Sequence, residues 1–565
     1  MRYDAEGFHE SAVRQYCDGR LTRREFVVKL AALGLGSSAI IATLASCGGG
    51  GNATVTSASP AATLAPGGGK EVVRAVSAIT ADIAGFDYVV AYDLNTNVPV
   101  YMVIEGLFRF DVNGVPMPAM ALSQDMSDPL KCVYKLRPNV TFHDGSPMTS
   151  DDVAFSLLRN MDPDVASYQG LFFSRVKSIA ATAADEVTVM FKKPDGVWHL
   201  VSGNPGCTGV TSKAWIEKNG KKVGTPAAGI LGTGPYKFKS WVRGQQIVLE
   251  RFDQYWNAAN RAMKVKEWVI RPVVDESTIV AALGTGEIDH TFNLSGTSFN
   301  LLKAFPNVTQ YTAPSYNVAY LGFNCEKAPW SDKRVRQAFS WALDKPGILQ
   351  AAYANFGKMC KSPITPDQCN FETDQFKAAY DALPAFAPPD INKAKALVQQ
   401  AGATGVKGQV LVGNDYDVPA GIAVQYAAQQ MGMNVSVQRM PQQQKFALEF
   451  SGKPRPYDMT ITIWGSDFAD PSGNIQNCLG PNLILNAVQY HNPQVENLIG
   501  LQKSTTNQAD RAKYIMEAQK IIVEDQPWVV LYETDTLQAM NSRLAGYALR
   551  PLYYNDSWGA DIYGV

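Results

Sequence analysis

The sequence predicts an α/β fold built around a mostly parallel β-sheet. Between residues 390 and 464, helical segments alternate with the short apolar strands GQVLVGN, NVSVQRM and YDMTITIW. Helices that alternate with strands in this way cover both faces of a parallel sheet. The body of the chain, residues 71–565, is long enough for two or three domains. The 46% apolar content of the chain is typical of globular proteins.

The N-terminal segment carries signals for export and for lipid attachment. Arg23 and Arg24 precede an apolar stretch that closes with the sequence LASC at Cys47. This arrangement resembles a twin-arginine signal peptide, residues 1–46, followed by a lipobox whose Cys47 receives the lipid. A membrane-spanning helix is the alternative. Its uncharged part, residues 30–46, has only 17 residues, whereas a span needs about 20.

A flexible tether is predicted over residues 47–70. Residues 48–69 carry no charge and are rich in Gly, Ala, Ser, Thr and Pro, a composition typical of flexible linkers. A lipid, a tether and a globular body together predict a protein anchored at the extracytoplasmic face of the cell membrane. The formal net charge of −1 gives no indication of a nucleic-acid partner.

The predicted mature chain contains an even number of cysteines besides Cys47. They are Cys132, Cys207, Cys325, Cys360, Cys369 and Cys478. An even number outside the cytoplasm permits disulfides, although twin-arginine export favours proteins that fold before export. Cys360 and Cys369 flank a proline-containing loop and are the pair closest in sequence, but their state stays open. No C-x-x-C occurs, which argues against a structural zinc site.

Local signals mark several further elements. Residues 132–136 and 140–142 alternate like strands, and Thr149 with Asp152 forms a capping box that starts a helix. GTGPYKFKSWVRGQQIVLERFDQYW predicts two strands around a turn, and PWSDKRVRQAFSWALDKPGILQAAY predicts two helices, the second beginning at Asp344. Gly402 is expected to end the helix INKAKALVQQAG. Further helices are expected over residues 419–431, 442–450 and 508–523, the last leading into the strand PWVVLYE.

Catalytic and metal-binding motifs are not found in the sequence. None of the five His residues lies four positions from another, and the chain has no G-x-S-x-G, Walker or Rossmann pattern. His143-Asp144 reads as a strand end and a tight turn rather than a catalytic pair. Asp467 and Asp470 are close in sequence, but nothing marks them as the acid and the nucleophile of a glycosidase. We therefore predict a protein that is not an enzyme and uses no cofactor or metal.

Three long stretches resemble one known family. They are IEGLFRFDVNGVPMPAMA with the following YKLRPNVTFHDGSPMTSDDVAFSLLR, then GTGPYKFKSW with LERFDQYW, and FNCEKAPWSDKRVRQAFSWALDKPGI. These are similar to the extracellular solute-binding proteins of ABC importers, family 5, the dipeptide, oligopeptide and nickel group. The resemblance covers residues 72–533.

The resemblance implies a type II periplasmic-binding-protein fold, a Venus flytrap of two lobes with an extra inserted domain. Domain I would comprise residues 71–90, 230–312 and 535–565, domain II residues 91–229, and domain III residues 313–534. Closure about a hinge would bury the ligand between the lobes. The loaded protein, a monomer, would then dock on the subunits of a membrane permease.

The resemblance also implies a ligand site. Its peptide-binding members carry an Asp that pairs with the peptide ammonium, and the matching position is Asp467, with Trp464 forming a wall of the cleft. A dry cleft accepts a charged ligand only where each charge finds a partner. The nickel-binding branch lacks this Asp. Asp470-Pro471 reads as a turn.

Other site residues are expected on two further segments. Tyr316 and Asn317 lie on a strand that would cross between the lobes, although Tyr316 also fits simple core packing. Asn95, Thr96 and Asn97 belong to YDLNTNVPVY, expected as the second strand and often lining the pocket. No residue stands out for a ligand carboxylate.

The predicted function is therefore that of a lipid-anchored binding component of an ABC importer for peptides. Two alternatives remain. The same architecture binds oligosaccharides in some members of the family, on aromatic platforms that the 24 Tyr and 10 Trp would supply. An exported hydrolase is the alternative from a different class.

Overall fold

The computed structural model of the chain describes residues 56–57, 68–90, 93–450, 455–480, 485–547 and 549–565. The predicted signal peptide, Cys47 as the predicted lipid attachment site, and most of the predicted tether lie outside the described residues. Within them, no helix combines the length and the apolar character needed to cross a membrane. The described side chains also include no group of three or more His, Cys, Asp or Glu placed to hold a metal ion.

The described residues form sixteen α-helices. The first eight are α1 Leu94–Val103, α2 Ser150–Leu158, α3 Trp198–Val201, α4 Pro205–Thr208, α5 Lys213–Asn219, α6 Glu276–Thr285, α7 Gly296–Leu301 and α8 Lys333–Ala342. The others are α9 Lys345–Tyr353, α10 Thr373–Asp381, α11 Ile391–Gln400, α12 Asp417–Gln430, α13 Gln442–Glu449, α14 Gly473–Cys478, α15 Pro493–Ser504 and α16 Gln508–Asp525.

Twenty strands accompany them in the same residues. The first ten are β1 Thr56–Ser57, β2 Val72–Ile79, β3 Phe108–Phe110, β4 Pro116–Pro118, β5 Ala121–Asp125, β6 Lys131–Leu136, β7 Val176–Ala183, β8 Glu186–Phe191, β9 Tyr236–Val242 and β10 Gln246–Arg251. The others are β11 Val265–Pro272, β12 His290–Phe292, β13 Val308–Phe323, β14 Gly357–Lys358, β15 Lys407–Val412, β16 Asn434–Arg439, β17 Met459–Gly465, β18 Trp528–Asn541, β19 Leu544–Ala545 and β20 Tyr563–Gly564.

One large sheet runs through the molecule. Its main path is β16-β15-β17-β13-β18-β12-β2-β11-β10-β9, and a separate sheet, β5-β6-β8-β7, lies within residues 121–191. The predicted parallel pairing is confirmed for β15 with both β16 and β17. That expectation was drawn from residues 390–464. Elsewhere in the sheet, β13 and β18 are antiparallel to each other and to further neighbours. The fold is a mixed α/β fold.

The long strands β13 and β18 join two halves of the molecule. In β13, Tyr316 belongs to the hydrophobic core that contains β2 and β11, whereas Val318 belongs to the core formed with α15 and α16. We call residues 68–307 with 542–565 the first lobe and residues 324–527 the second lobe. β13 and β18 pass from one lobe to the other.

A large bulge marks this passage. Pro314 pairs with Asp535 and Val318 pairs with Glu533, so three residues of β13 stand opposite the single residue Thr534 of β18. The hydroxyl of Ser315 donates to the carbonyl oxygen of Thr534 at 2.6 Å. Such bulges bend a strand and increase its local twist.

Most local predictions agree with the structure, and two do not. The Thr149–Asp152 capping box is present at α2, Asp344 caps α9, and Gly402 follows α11 with φ +65°. The stretch YDLNTNVPVY is not a strand, because Asp93 accepts a hydrogen bond from the Thr96 backbone and begins helix α1. Residues 140–142 form only an isolated bridge between Thr141 and Pro147 instead of a strand.

The cysteines whose state the structure describes are free thiols. Cys132, Cys207, Cys325, Cys360 and Cys369 form no disulfide. The proposed neighbours Cys360 and Cys369 are therefore not bonded. Burial raises the pKa of both thiols above the ordinary range.

Candidate ligand-binding cleft

The loop that follows β17 lies between the two lobes. Ser466 accepts a hydrogen bond of 3.0 Å from the Tyr554 hydroxyl, and the Asp467 carbonyl accepts one of 3.1 Å from Asn555 Nδ2. Both donors belong to the C-terminal segment of the first lobe. The ring of Phe468 packs 5.6 Å from that of Phe172, also in the first lobe. The two lobes therefore meet at this loop.

Asp467 is half-buried at this junction. Burial raises its pKa from the ordinary 3.8 to about 6. The phenols of Tyr101 and Tyr554 and the thiol of Cys207 are buried around it. Burial raises the pKa of each of these groups, and the nearby Asp467 carboxylate raises it further. The site therefore combines one acidic group with two buried phenols from the first lobe.

Helix α1 brings two of the predicted polar residues into structural roles. Asn95 Oδ1 accepts hydrogen bonds from the Thr80 backbone N–H at 3.0 Å and from the Thr80 hydroxyl at 3.2 Å. The Thr96 hydroxyl donates to Asp93 at 2.6 Å and accepts from the Ala84 N–H at 3.2 Å. Both side chains thus fix the start of α1 to the preceding segment.

Asn97 differs from its neighbours on this helix. Its side chain is 7% exposed, and Oδ1 has no hydrogen-bond partner within the described structure. Asn97 and Tyr101 are four residues apart, so they share one face of α1. A buried amide oxygen without a partner is costly. Asn97 therefore has an unused acceptor on the same helix face as Tyr101, one of the two phenols whose pKa the Asp467 carboxylate raises.

Tyr316 and Asn317 lie at the bulge in β13. Tyr316 is 5% exposed and belongs to the first core, while its hydroxyl lies close to Gly114, where an added Cβ would come within 3.3 Å. Asn317 pairs with Gly465, and a Cβ on Gly465 would lie 1.9 Å from Asn317 Oδ1. A side chain at position 465 would therefore force the Asn317 amide to turn away from its present orientation.

Trp464 is half-buried at the end of β17. Its ring lies edge-on to Phe450 at 5.9 Å, and Phe450 in turn lies 5.8 Å from Phe446 on α13. The indole N–H of Trp464 has no hydrogen-bond partner among the described residues. These three rings form an aromatic row on the second lobe.

Asp470 and His143 have structural partners. Asp470 is fully buried and pairs with Arg511 at 3.0 Å, and it also accepts the Ser472 N–H at 2.8 Å. His143 donates from Nε2 to the Gly234 carbonyl and accepts the Gly232 N–H at Nδ1, and burial lowers its pKa to about 4. Neither residue is arranged as a catalytic group.

Sequence reasoning missed the first-lobe partners of this junction. Tyr101, Tyr554 and Asn555 come from segments far from Asp467 in the sequence, and none carries a motif of its own. Tyr554 and Asn555 follow the last long strand in a tyrosine-rich stretch, LYYND. That stretch was the sequence feature that could have indicated these partners.

Two lobes joined by crossing strands, with acidic and aromatic side chains gathered at their junction, define a two-lobed binding protein. The chain belongs to the bacterial extracellular solute-binding proteins, family 5, because the model of the family's middle region matches residues 115–484.

Known relatives agree with this assignment. The chain is 26% identical over 459 residues to the glutathione-binding protein GsiB of Pectobacterium atrosepticum, covering 79% of this chain and 86% of the relative. Among solved structures, DppA of Helicobacter pylori with the peptide STSA superposes with a TM-score of 0.77 at 22% identity, over 88% of this chain and 98% of the other. AppA of Bacillus subtilis with a nonapeptide gives 0.75 at 21% identity, over 88% and 100%.

Proposed function

We propose that this protein is the substrate-binding component of an ABC importer and captures peptides between its lobes. One observation supports this proposal above the others: the Asp467 carboxyl is desolvated at the lobe junction, with a pKa of about 6. A cationic group placed beside a desolvated carboxylate favours its charged form and offsets the desolvation. The α-ammonium of a peptide is such a group.

The surroundings of Asp467 suit an ammonium with several N–H donors. Asn97 Oδ1 is a buried acceptor that lacks a partner in the described residues, and Tyr101 and Tyr554 offer phenol oxygens near the carboxylate. An ammonium group donates three hydrogen bonds. The aromatic row of Trp464, Phe450 and Phe446 would receive an apolar side chain.

The relatives favour the same class of ligand. GsiB carries the name of a glutathione-binding protein, and DppA and AppA were solved with peptides. Glutathione and peptides each have a free ammonium and carboxylates.

Oligosaccharides stay an alternative, since the aromatic row also suits sugar rings. Native mass spectrometry of ligand that co-purifies with the protein separates the two classes.

The hydrolase alternative is disfavoured. A glycosidase needs two carboxyl groups that reach the substrate, and Asp470 is buried against Arg511. We propose that the protein has no catalytic role.

The decisive experiment compares two forms of one probe. We expect isothermal titration calorimetry to show binding of the tetrapeptide Ser-Thr-Ser-Ala and much weaker binding of its N-acetylated form, which has lost the ammonium charge. Equal affinity for the two forms would refute the role of the ammonium. Binding of neither peptide, nor of glutathione, would refute the peptide function.

The domain division and the location are part of the same proposal. Domain I would be residues 71–90, 230–312 and 535–565, domain II residues 91–229, and domain III residues 313–534. The monomeric protein would be anchored by lipid on Cys47 at the extracytoplasmic face and would deliver its cargo to permease subunits. Cys47→Ser should shift the protein from the membrane fraction to the soluble fraction, and a variant that still sediments with membranes contradicts the anchor.

A further inference from the structure

A buried ion pair joins the lobes away from the proposed ligand residues. Lys503 Nζ on α15 of the second lobe lies 3.7 Å from Asp195 Oδ2, which precedes α3 in the first lobe. The two side chains are 10% and 1% exposed. Asp195 and Lys503 stand on elements other than those that carry Asn97, Trp464 and Asp467.

Backbone contacts surround this pair. The Gly196 N–H donates to the Lys503 carbonyl at 2.9 Å, and Arg175 Nη2 of the first lobe donates to the Gly500 carbonyl at 3.2 Å. Both acceptors lie in the last two turns of α15, at the partly negative end of the helix dipole, which attracts donors. A Cβ on Gly196 would lie 2.1 Å from the Thr505 carbonyl oxygen, so only glycine permits this approach.

Asp195 and Lys503 belong to different lobes, so a separation of the lobes would break this contact and return both charged groups to water. Their loss of water in the contact is visible in the pKa of each group, since burial raises that of Asp195 and lowers that of Lys503. Two desolvated charges are tolerated when they neutralise each other, whereas one alone is strongly unfavourable.

We propose that Asp195 and Lys503 form an interlobe latch that sets ligand affinity through the closed arrangement, without contacting the ligand. The affinity test of this inference rests on the proposed binding function, whereas the radius of gyration of the protein can be measured without any ligand. A latch of this kind slows lobe opening and therefore lengthens the lifetime of the bound complex.

The test is a double-mutant cycle of Asp195→Asn and Lys503→Met, with Lys513→Met on the exposed face of α16 as the matched control. Calorimetry uses Ser-Thr-Ser-Ala and glutathione as probes, and small-angle X-ray scattering measures the radius of gyration without ligand. Each single variant should bind about 10- to 100-fold more weakly and show a larger radius of gyration. The control should match the unmodified protein.

The double variant distinguishes a latch from two independent effects. Because neither charge is then left alone in the interface, D195N/K503M should recover much of the lost affinity. Losses that simply add, or single variants with unchanged affinity and unchanged radius of gyration, would overturn the proposal. So would a fall in the melting temperature of the ligand-free single variants that matches their loss of affinity.

The two proposals fail in different ways. If the unmodified protein binds neither probe, the peptide function fails while the radius of gyration of the variants alone decides the latch. If peptides bind and the variants behave as the unmodified protein in both measurements, only the latch fails.

Discussion

The hydroxyl of Tyr554 donates a hydrogen bond of 3.0 Å to the carbonyl oxygen of Ser466, and so binds the end of β17 to the C-terminal segment of the first lobe. The next residue after Ser466 is Asp467. Together with the hydrogen bond from Asn555 Nδ2 to the Asp467 carbonyl oxygen, this contact holds the backbone from which the proposed ammonium partner extends. A side chain held in this way keeps its position once the lobes have closed on a ligand.

Asp467→Ala should weaken binding of Ser-Thr-Ser-Ala by about 2–5 kcal/mol, the range for removing one partner of a buried charge pair. The melting temperature without ligand should change little or rise, since the variant also removes a desolvated carboxyl. Calorimetry and thermal unfolding measure the two effects. Unchanged affinity would remove Asp467 from the site.

The affinity should fall on acidification. Because the pKa of Asp467 is about 6, most of the carboxyl is protonated at pH 5 and no longer attracts a cation. We expect binding of Ser-Thr-Ser-Ala to be about tenfold weaker at pH 5 than at pH 7. The Asp467→Asn variant should bind weakly at both pH values, without this pH dependence of the affinity. If its affinity still falls between pH 7 and pH 5, another group is responsible for the pH dependence.

The stability of the ligand-free protein should respond to the same carboxyl in the opposite direction. Its pKa is raised from 3.8 on folding, so the folded state holds the proton more tightly than the unfolded state. The destabilisation is present above pH 6 and disappears as the pH falls towards 4. Denaturant unfolding of the unmodified protein and of Asp467→Asn at pH 5 and pH 8 measures this difference.

Glu533→Gln should stabilise the protein at pH 8 by about 1–3 kcal/mol. Burial raises the pKa of Glu533 to about 7, against the lowering effect of Lys358, and its Oε1 accepts the Thr365 hydroxyl at 2.9 Å. Glutamine keeps that acceptor and removes the buried charge. The exposed Glu524→Gln is the control, and equal unfolding free energies for the two variants would contradict the prediction.

Arg511→Met should destabilise the protein by about 3–5 kcal/mol, because it leaves the buried Asp470 carboxylate without its cation. Both side chains are at most 1% exposed. Denaturant unfolding measures the loss, with the exposed Arg334→Met as the control. A loss below about 1 kcal/mol would show that Asp470 finds another partner.

Local chemistry made much of the fold predictable. Capping residues such as Thr149 and Asp344 act within one turn of the chain, so their signals can be read directly from the sequence. Helix α1 could not be recognised, because it contains Pro99 and several β-branched residues that disfavour helices. Eight of its ten residues are buried, so tertiary packing decides its conformation.

The same distinction between local signals and tertiary packing holds for the candidate site. Asp467 was a candidate from the sequence because a carboxylate after an apolar strand is a local pattern, reinforced by the family resemblance, and the structure places its loop at the lobe junction. Tyr101 on α1 and Tyr554 near the C-terminus come close to it through tertiary packing of segments far apart in the sequence, which no local pattern encodes. The side chains of Asn95 and Thr96 hold the start of α1 in the structure. The binding roles of all the candidate residues stay predictions: Asp467, Trp464, Tyr316, Asn317, Asn95, Thr96 and Asn97.

The three-against-one bulge between Pro314 and Val318 provides two extra residues of backbone where β13 passes from one lobe to the other. Torsion angles there can change while the ladder on each side keeps its register, so rotation of one lobe against the other ruptures few hydrogen bonds. A chain without this slack would have to break strand pairing each time its lobes moved apart.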